Sequence, residues 1–437
     1  MRPPLRPPLL LVAVLAGWLA ACAPPPDELY NRGQQLEIEG RYEDAVDHYA
    51  RALERAPEMR KAQGRLHVVG GLLLDRHLQA AGAAASPTEA ADAYRRAADL
   101  ADRTAAVGVP LRLPPTFEAD RLAAFDAAVE NLLARGADAL DAGRFQEALD
   151  AFARAGHYQP DAEQAEALAT FSFDTHLAWA EADLAAGRFR SAFARAEAAL
   201  PFLTPARTEA DARDLQAAAL EAGTVHLAVF PEEAARGRAT DAMPPDFLGA
   251  LRDVTEDTFW TRPPLFVGVA DPAEVRRLLR RTLRPDGRYD DLRLTGDLAY
   301  RLGADLGVAT LLTRYDRQDE ETDRDTLAAR LRDGGQARYV RSIRRVTLRA
   351  EAAFAAVEAG TSRRACDERV QAEASGRLRV GEYAGRPRDL VLDRDDRALF
   401  DPEAQDEAER RIENELLAEL AERLAGRVFA CAERLVP

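Results

Sequence analysis

The stretch GQQLEIEGRYEDAVDHYARALERAP, residues 33–57, decides the fold of the first half because its pattern of small and aromatic residues returns further along the chain. GADALDAGRFQEALDAFARAGHYQP, residues 136–160, matches it almost completely, and AEADLAAGRFRSAFARAEAAL, residues 180–200, matches much of it. The recurring positions of the first stretch are Gly33, Leu36, Gly40, Tyr42, Ala45, Tyr49, Ala52 and Pro57. A fixed frame of this kind predicts a repeated structural unit.

Each copy predicts two short antiparallel helices joined by a tight turn. Gly40, Gly143 and Gly187 supply a residue that tolerates positive φ in that turn. Small residues on the two helices, such as Gly33 and Ala45 in the first copy, are expected to face each other and let the backbones approach.

This frame resembles the tetratricopeptide repeat. SPTEAADAYRRAADLADRTA, residues 86–105, keeps only the spacing of the second helix and is interpreted as a degenerate repeat. The resemblance predicts an α-solenoid over residues 27–223.

The resemblance also implies a concave surface, built from the first helices, that binds peptides or partner domains. The positions that would face this groove are Tyr30, Gln34, Glu37, Leu133, Ala137, Asp141, Leu177, Glu181 and Leu184. The lysines and asparagines that grip a peptide's terminal carboxylate in some members of the family are missing here. An alternative interpretation is that the repeats serve only as a spacer that packs against the second half.

The sequence after residue 223 changes to alternating strands and helices. Predicted strands are TVHLAVFP, LFVGVA and the segment 308–315, and predicted helices begin near Pro244, Asp271 and Gly296. This alternation predicts a C-terminal α/β domain with a mixed sheet over residues 224–437.

The end of the chain predicts a long β-hairpin and a long final helix. Apolar residues alternate with polar ones over residues 344–385, on both sides of the turn Glu358–Thr361. A helix is predicted to begin at Asp401, with one apolar stripe that would lie across the sheet. The stripe consists of Ile412, Leu416, Leu420, Leu424 and Val428.

This second half resembles the α/β domain of the curli-transport lipoproteins and of the lipoproteins that activate penicillin-binding proteins. The phrases that carry the resemblance are VHLAVFP, YRLGADLGVATLL, VEAGTSRRA and YAGRPRDLVLDRDDRALFD. The resemblance implies a role in the cell envelope and leaves a subunit of an oligomeric secretion pore as one alternative.

The sequence offers no recognisable catalytic, metal or cofactor motif. The 6 histidines form no metal-binding spacing, and no nucleophile elbow or phosphate-binding glycine loop is present. The acidic run at residues 319–325 lacks the order of a calcium loop and is interpreted as a solvated loop. We therefore expect no catalytic residue, no metal and no cofactor.

The first residues, MRPPLRPPLLLVAVLAGWLAAC, have the layout of a bacterial signal peptide. Leu19 to Cys22 resembles a lipobox, which predicts a signal peptide over residues 1–21, lipidation of Cys22 and a proline tether over residues 22–26. The alternative is a cleaved secretory signal in which the cysteine has no role. Because Ala23 is not aspartate, the familiar sorting rule for lipoproteins implies the outer membrane, with the body in the periplasm or exposed at the surface.

The net charge limits the classes of partner that the protein can bind, and the cysteines indicate the compartment in which it folds. The net charge of −15 argues against nucleic acid, whose backbone needs a basic surface. If Cys22 is lipidated, Cys366 and Cys431 remain as a pair, and we predict that they form a disulfide in an oxidising compartment. Two separately buried thiols are the competing interpretation.

Three functions follow from these features. The first is a lipid-anchored, non-enzymatic adaptor or scaffold that binds other envelope proteins or peptides. The second is the secretion-pore subunit, although the apolar face of the hairpin is largely alanine and fits packing under the final helix better than contact with lipid. The third is a hydrolase without a recognisable motif.

Overall fold

The computed structural model describes residues 24–235, 240, 242–282 and 291–437. The predicted signal peptide, residues 1–21, and the predicted lipidation site at Cys22 lie outside the described residues. No helix among the described residues is long and apolar enough to cross a membrane.

The described chain forms two compact units. One unit runs to Glu181 and takes in Arg195–Arg213, and the other consists of Ala182–Ala194 and Asp214–Pro437. The predicted domain boundary lies after residue 223. This division also places Ala182–Ala194, which belong to the third repeat, in the second unit. There the ring of Phe193 packs edge-on against Phe266 with ring centroids 5.9 Å apart.

Helix pairs succeed one another from residue 26 to residue 199, as the repeat frame predicts. The first helices of the pairs are α1 (Pro26–Ile38), α3 (Arg60–Gly82), α5 (Phe117–Asp141) and α7 (Ala162–Ala185). The second helices are α2 (Tyr42–Arg55), α4 (Pro87–Ala106), α6 (Phe145–Ala155) and α8 (Phe189–Ala199), and α9 (Glu209–Gly223) follows. Short 3-10 turns occur at Gly156–Tyr158 and Leu200–Phe202.

The turns and the degenerate repeat follow from local chemistry. Gly40, Gly143 and Gly187 have φ values of 76°, 70° and 73°, which confirms the predicted positive-φ turns. Helix α4 begins at the predicted Ser-Pro start, where the hydroxyl of Ser86 accepts a hydrogen bond from the amide of Glu89 at 3.2 Å. The degenerate copy is therefore a full helix pair, α3 and α4.

Two glycines of the first helices, Gly33 and Gly136, make room for aromatic rings of the second helices. A Cβ atom at Gly33 would lie 2.7 Å from the Tyr49 ring, and one at Gly136 would collide with the ring of Phe152. Tyr49 is fully buried and Phe152 nearly so. Ala45 is fully buried as well, and its predicted approach to Gly33 stays a prediction.

The second unit contains one mixed sheet with helices on both sides. Its strands are β1 (Val225–Val229), β2 (Glu233–Ala234), β3 (Val267–Val269), β4 (Leu306–Leu331), β5 (Gln336–Glu358), β6 (Arg364–Glu382) and β7 (Leu390–Val391). Its helices are α10 (Phe247–Thr261), α11 (Pro272–Thr282), α12 (Leu292–Arg301), α13 (Arg394–Ala398) and α14 (Pro402–Glu433), with a 3-10 turn at Pro387–Asp389.

The sheet combines a parallel part with a long antiparallel meander. Its main order is β3-β1-β4-β5-β6, in which β1 pairs in parallel with both β3 and β4. Strands β4, β5 and β6 pair antiparallel along most of their lengths. This arrangement confirms the predicted fold class of helical repeats followed by an α/β domain with a long hairpin and a long final helix.

One predicted loop is wrong. The acidic run 319–325 lies inside β4, where Asp319 pairs with Val346 and Asp325 with Arg341. Arginines on the neighbouring strands supply the charge balance, as in the 2.7 Å pair between Arg341 and Asp325. The polar run therefore forms a solvent-facing strand, which composition alone does not distinguish from a loop.

The final helix covers one face of the meander. The predicted apolar stripe of α14 is buried against alternate residues of β5 and β6, which places the alanine-rich hairpin face in a protein core. At the edge of this core Arg317 of β4 makes two 3.0 Å hydrogen bonds to Glu409 of α14, and this pairing lowers the pKa of the Glu409 carboxyl. Cys366 of β6 and Cys431 of α14 are joined by a disulfide, with Cα atoms 6.4 Å apart.

Substituting the first-helix glycine tests the close packing in the repeats. We expect Gly136→Ala to lower the stability of the helical unit by about 1–3 kcal/mol, because the methyl group would displace the Phe152 ring. Chemical denaturation followed by far-ultraviolet circular dichroism measures the change. The matched control is Gly64→Ala on α3, where nothing lies within 4 Å of the new methyl group.

The control should leave stability unchanged or raise it by up to about 1 kcal/mol, because alanine favours helix over glycine. Equal effects of the two substitutions would show that the glycine–ring contact does not hold the pair together.

Candidate functional site

The predicted groove begins on α1, where its residues are already engaged with α3. The side-chain amide of Gln34 donates to the hydroxyl of Tyr30 at 3.0 Å. Lys61 lies 4.7 Å from the centroid of the Tyr30 ring, and Arg65 donates through Nε to Glu37 at 3.2 Å. The predicted residues Tyr30, Gln34 and Glu37 therefore lie together, and two of them contact a cationic side chain of the next first helix.

Glu37 also accepts a hydrogen bond from the second helix of its own pair. The hydroxyl of Tyr49 donates to Glu37 at 2.9 Å. Burial, with a smaller contribution from Tyr30, raises the pKa of Tyr49 to about 12, so the phenol stays protonated and remains a donor at neutral pH. The Glu37 carboxylate is thus fixed from two helices, which suits a structural role more than direct capture of a partner.

The outward stripe of α3 changes from charged to apolar along the helix. Lys61, Arg65, Val68 and Leu72 follow each other at intervals of four, three and four residues, so they share one face. Val68 is 51% exposed and Leu72 is 58% exposed. This face is continuous with the predicted groove, because its first two members contact α1.

The corresponding face of α5 adds a further exposed apolar residue. Leu122 is 54% exposed and shares a helical stripe with the predicted residues Leu133 and Ala137. Leu133 and Ala137 are half-buried, and Leu133 packs at the margin of the core of this repeat. Asp141, at the end of α5, is exposed.

On α7 the predicted residues differ in exposure. Leu177 is half-buried and packs beside the small core around Phe173. Glu181 is exposed, whereas Leu184 is half-buried and belongs to the second unit. Their role in a groove stays a prediction.

The exposed large apolar side chains of the first unit concentrate on first helices. Ile38 at the end of α1 is 88% exposed, and Val68, Leu72 and Leu122 are each more than half exposed. Among the described residues of this unit, the other large apolar side chain of this kind is Leu203, in the segment after α8. We define the first-helix surface as Ile38, Val68, Leu72 and Leu122 together with Lys61 and Arg65.

The first-helix surface combines four apolar side chains with two cationic ones. Isolated exposed apolar residues are ordinary, but four of the five in the described part of this unit lie on first helices, which makes the first-helix surface the candidate binding surface. Within the described part of the chain, no group of three or more histidine, cysteine, aspartate and glutamate side chains is arranged to hold a metal ion.

Sequence reasoning missed all six residues of the first-helix surface. Helix α3 carries too little of the repeat frame to be assigned as a first helix, and Leu122 lies before the second recognisable copy. A helical-period analysis of residues 60–82 would have revealed the stripe, because its members recur at three- and four-residue intervals.

Ion pairs on the second helices connect one helix pair of the repeat array to the next. Asp92 of α4 accepts hydrogen bonds from the Tyr158 hydroxyl at 2.8 Å and from Arg154 at 2.7 Å. Burial acts to raise the pKa of Asp92, but the hydrogen bonds from Tyr158 and Arg154 outweigh it and lower that pKa below its usual range. This cluster connects α4 to the end of α6 and leaves its polar groups satisfied.

Comparison with known proteins agrees with the repeat architecture. The family model of the tetratricopeptide repeat matches residues 26–59, which contain α1, α2 and the turn between them. No curated protein matches the chain significantly. The structure of the hypothetical protein CT253 from Chlamydia trachomatis has 12% sequence identity and covers 47% of this chain and 99% of its own, with a TM-score of 0.21. The first unit therefore carries a tetratricopeptide repeat, a motif that mediates protein–protein interaction.

Proposed function

We propose that this protein is a lipid-anchored adaptor of the bacterial cell envelope, and that it binds a protein or peptide partner on the first-helix surface. The observation that carries the proposal is the concentration of exposed apolar side chains on the first helices of a repeat that mediates protein interaction. The partner contact itself requires no catalytic group.

The chemistry of the surface indicates what kind of segment fits it. Val68, Leu72 and Leu122 offer apolar contacts, and Lys61 and Arg65 carry positive charge at one end. Lys61 is paired with Asp27 at 2.5 Å and Arg65 with Glu37, so their charge is largely compensated within the protein. Binding is therefore expected to depend mainly on burying apolar surface, as when the apolar face of a helix enters a groove.

The proposed location rests on the beginning of the sequence. Lipidation of Cys22 would supply several acyl chains, each contributing about 0.8 kcal/mol per buried methylene, which is enough for stable anchoring. Pro24 and Pro25 form a stiff spacer between the lipid and α1. We place the anchor in the outer membrane and the body in the periplasm. The Cys366–Cys431 disulfide supports an oxidising compartment.

Site-specific photocrosslinking in cells tests the adaptor function. A photoreactive phenylalanine analogue at Leu72 should give a discrete adduct of defined mass with an envelope protein. The same analogue at Ala153, an exposed position on the second helix α6, should give none. Adding Val68→Glu to the Leu72 protein should reduce the adduct by at least tenfold, because a buried charge opposes binding.

A matched Ala105→Glu substitution, at an exposed position on α4, should leave the Leu72 adduct unchanged. Equal crosslinking from α3 and α6 would contradict a binding surface on the first helices. Electron microscopy of the detergent-extracted protein then separates the alternatives, since rings would favour the secretion-pore subunit over the adaptor.

Substituting Cys22 tests the anchor separately. We expect Cys22→Ser to remove the acyl chains and to move the protein from the membrane fraction to the soluble fraction, which fractionation and immunoblotting measure. The control is Cys366→Ser with Cys431→Ser, which leaves the lipid site intact and should keep the protein in the membrane fraction. Unchanged membrane association of Cys22→Ser would contradict lipid anchoring.

A further inference from the structure

A cavity of about 230 Å³ opens at the carboxyl ends of the parallel strands in the second unit. The end of β1, at Val229–Glu232, and the end of β3, at Val269–Ala270, form its floor. Helices α10 and α11 supply its walls. In open α/β sheets, the carboxyl ends of parallel strands are the usual place for a ligand, because helices on opposite faces diverge there and leave a crevice.

The cavity contains a deeply buried carboxyl group. Glu232 is only 2% exposed, and its main-chain carbonyl accepts two hydrogen bonds from Arg252, at 2.9 and 2.7 Å. The guanidinium is therefore engaged with the backbone and forms no ion pair with the Glu232 carboxylate. The other lining arginine, Arg276, is paired with Glu256 at the rim.

A second buried polar group lies in the same cavity. The hydroxyl of Thr255, whose residue is 1% exposed, makes no hydrogen bond of normal geometry with any described residue. Burial raises the pKa of the Glu232 carboxyl, and the neighbouring Thr255 hydroxyl, the glutamate's own amide and the Arg252 charge offset the rise only in part. A buried carboxyl group that forms no ion pair costs stability unless a cation binds it.

The remaining walls of the cavity are apolar, and nearby carboxylates would repel an anionic ligand. Phe259 and Val275 contribute buried side chains from α10 and α11. The amino terminus of α11 is already occupied by Asp271, whose carboxylate accepts from the amide of Ala273 at 2.7 Å. A phosphate or carboxylate ligand would therefore meet Asp271 and Glu232 instead of free helix amides.

We propose that this cavity binds a small organic cation, with its ammonium group on the Glu232 carboxylate and its apolar body against Phe259 and Val275. An ammonium group supplies the charge partner that Glu232 lacks, and Thr255 accepts or donates a further hydrogen bond. The size fits one ring with a short arm, since an engineered cavity of ~150 Å³ in another protein binds benzene. This inference concerns the second unit and stands apart from the adaptor function.

Isothermal titration calorimetry of the full chain with 2-phenylethylammonium tests the site. The wild-type protein should bind the cation, and the isosteric neutral alcohol 2-phenylethanol should bind at least tenfold more weakly. Glu232→Gln should weaken cation binding by at least tenfold while keeping the shape of the side chain. Asp253→Asn, which removes an exposed carboxylate from the same cavity lining, should change the Kd by less than threefold.

Thermal unfolding distinguishes loss of the site from loss of the fold. Because a glutamine has no charge to desolvate, Glu232→Gln should unfold at the same temperature as the wild type or higher. Absence of cation binding by the wild-type protein would overturn the proposal. So would equal binding by wild-type protein and Glu232→Gln, or binding of the alcohol as tight as that of the cation.

Discussion

The seating of aromatic rings on first-helix glycines is the contact on which the helical unit depends. Tyr49 occupies the space that a side chain at Gly33 would need, and Phe152 does the same at Gly136. Because each ring fills the gap between the two helices of its pair, the pair closes without using the opposite face of the first helix. Val68, Leu72 and Leu122 are exposed on first helices outside these two ring contacts.

Close packing of small residues against α14 organises the second unit in a similar way. Small residues of β5 and β6 allow the leucines of this helix to lie close to the sheet, and Ile412 reaches the space beside Gly376. The disulfide joins the end of the same helix to the start of β6. The helix thus secures the antiparallel meander, whereas the parallel edge, at the ends of β1 and β3, retains a cavity with a buried carboxyl group.

The sequence predicted those parts of the fold that depend on local chemistry. The turn glycines, the start of α4 at Ser86 and the apolar stripe of α14 follow from backbone preferences and helical period. The sequence-based prediction failed where pairing between strands overrides composition, as in the acidic run of β4, where Asp325 pairs with Arg341 of β5. The candidate surface was only partly predictable, because α3 lacks the repeat frame. Its stripe can be assigned to the groove only when the contacts of Lys61 and Arg65 with α1 are known.

The central claim is that another protein covers the first-helix surface in the cell. Hydroxyl-radical footprinting of side chains, compared between isolated membranes and the purified protein, measures this coverage directly. The account predicts that Val68, Leu72 and Leu122 react several-fold more slowly in membranes, while exposed second-helix residues such as Arg51 react equally in both preparations. Equal reactivity of the first-helix residues in the two preparations would contradict it.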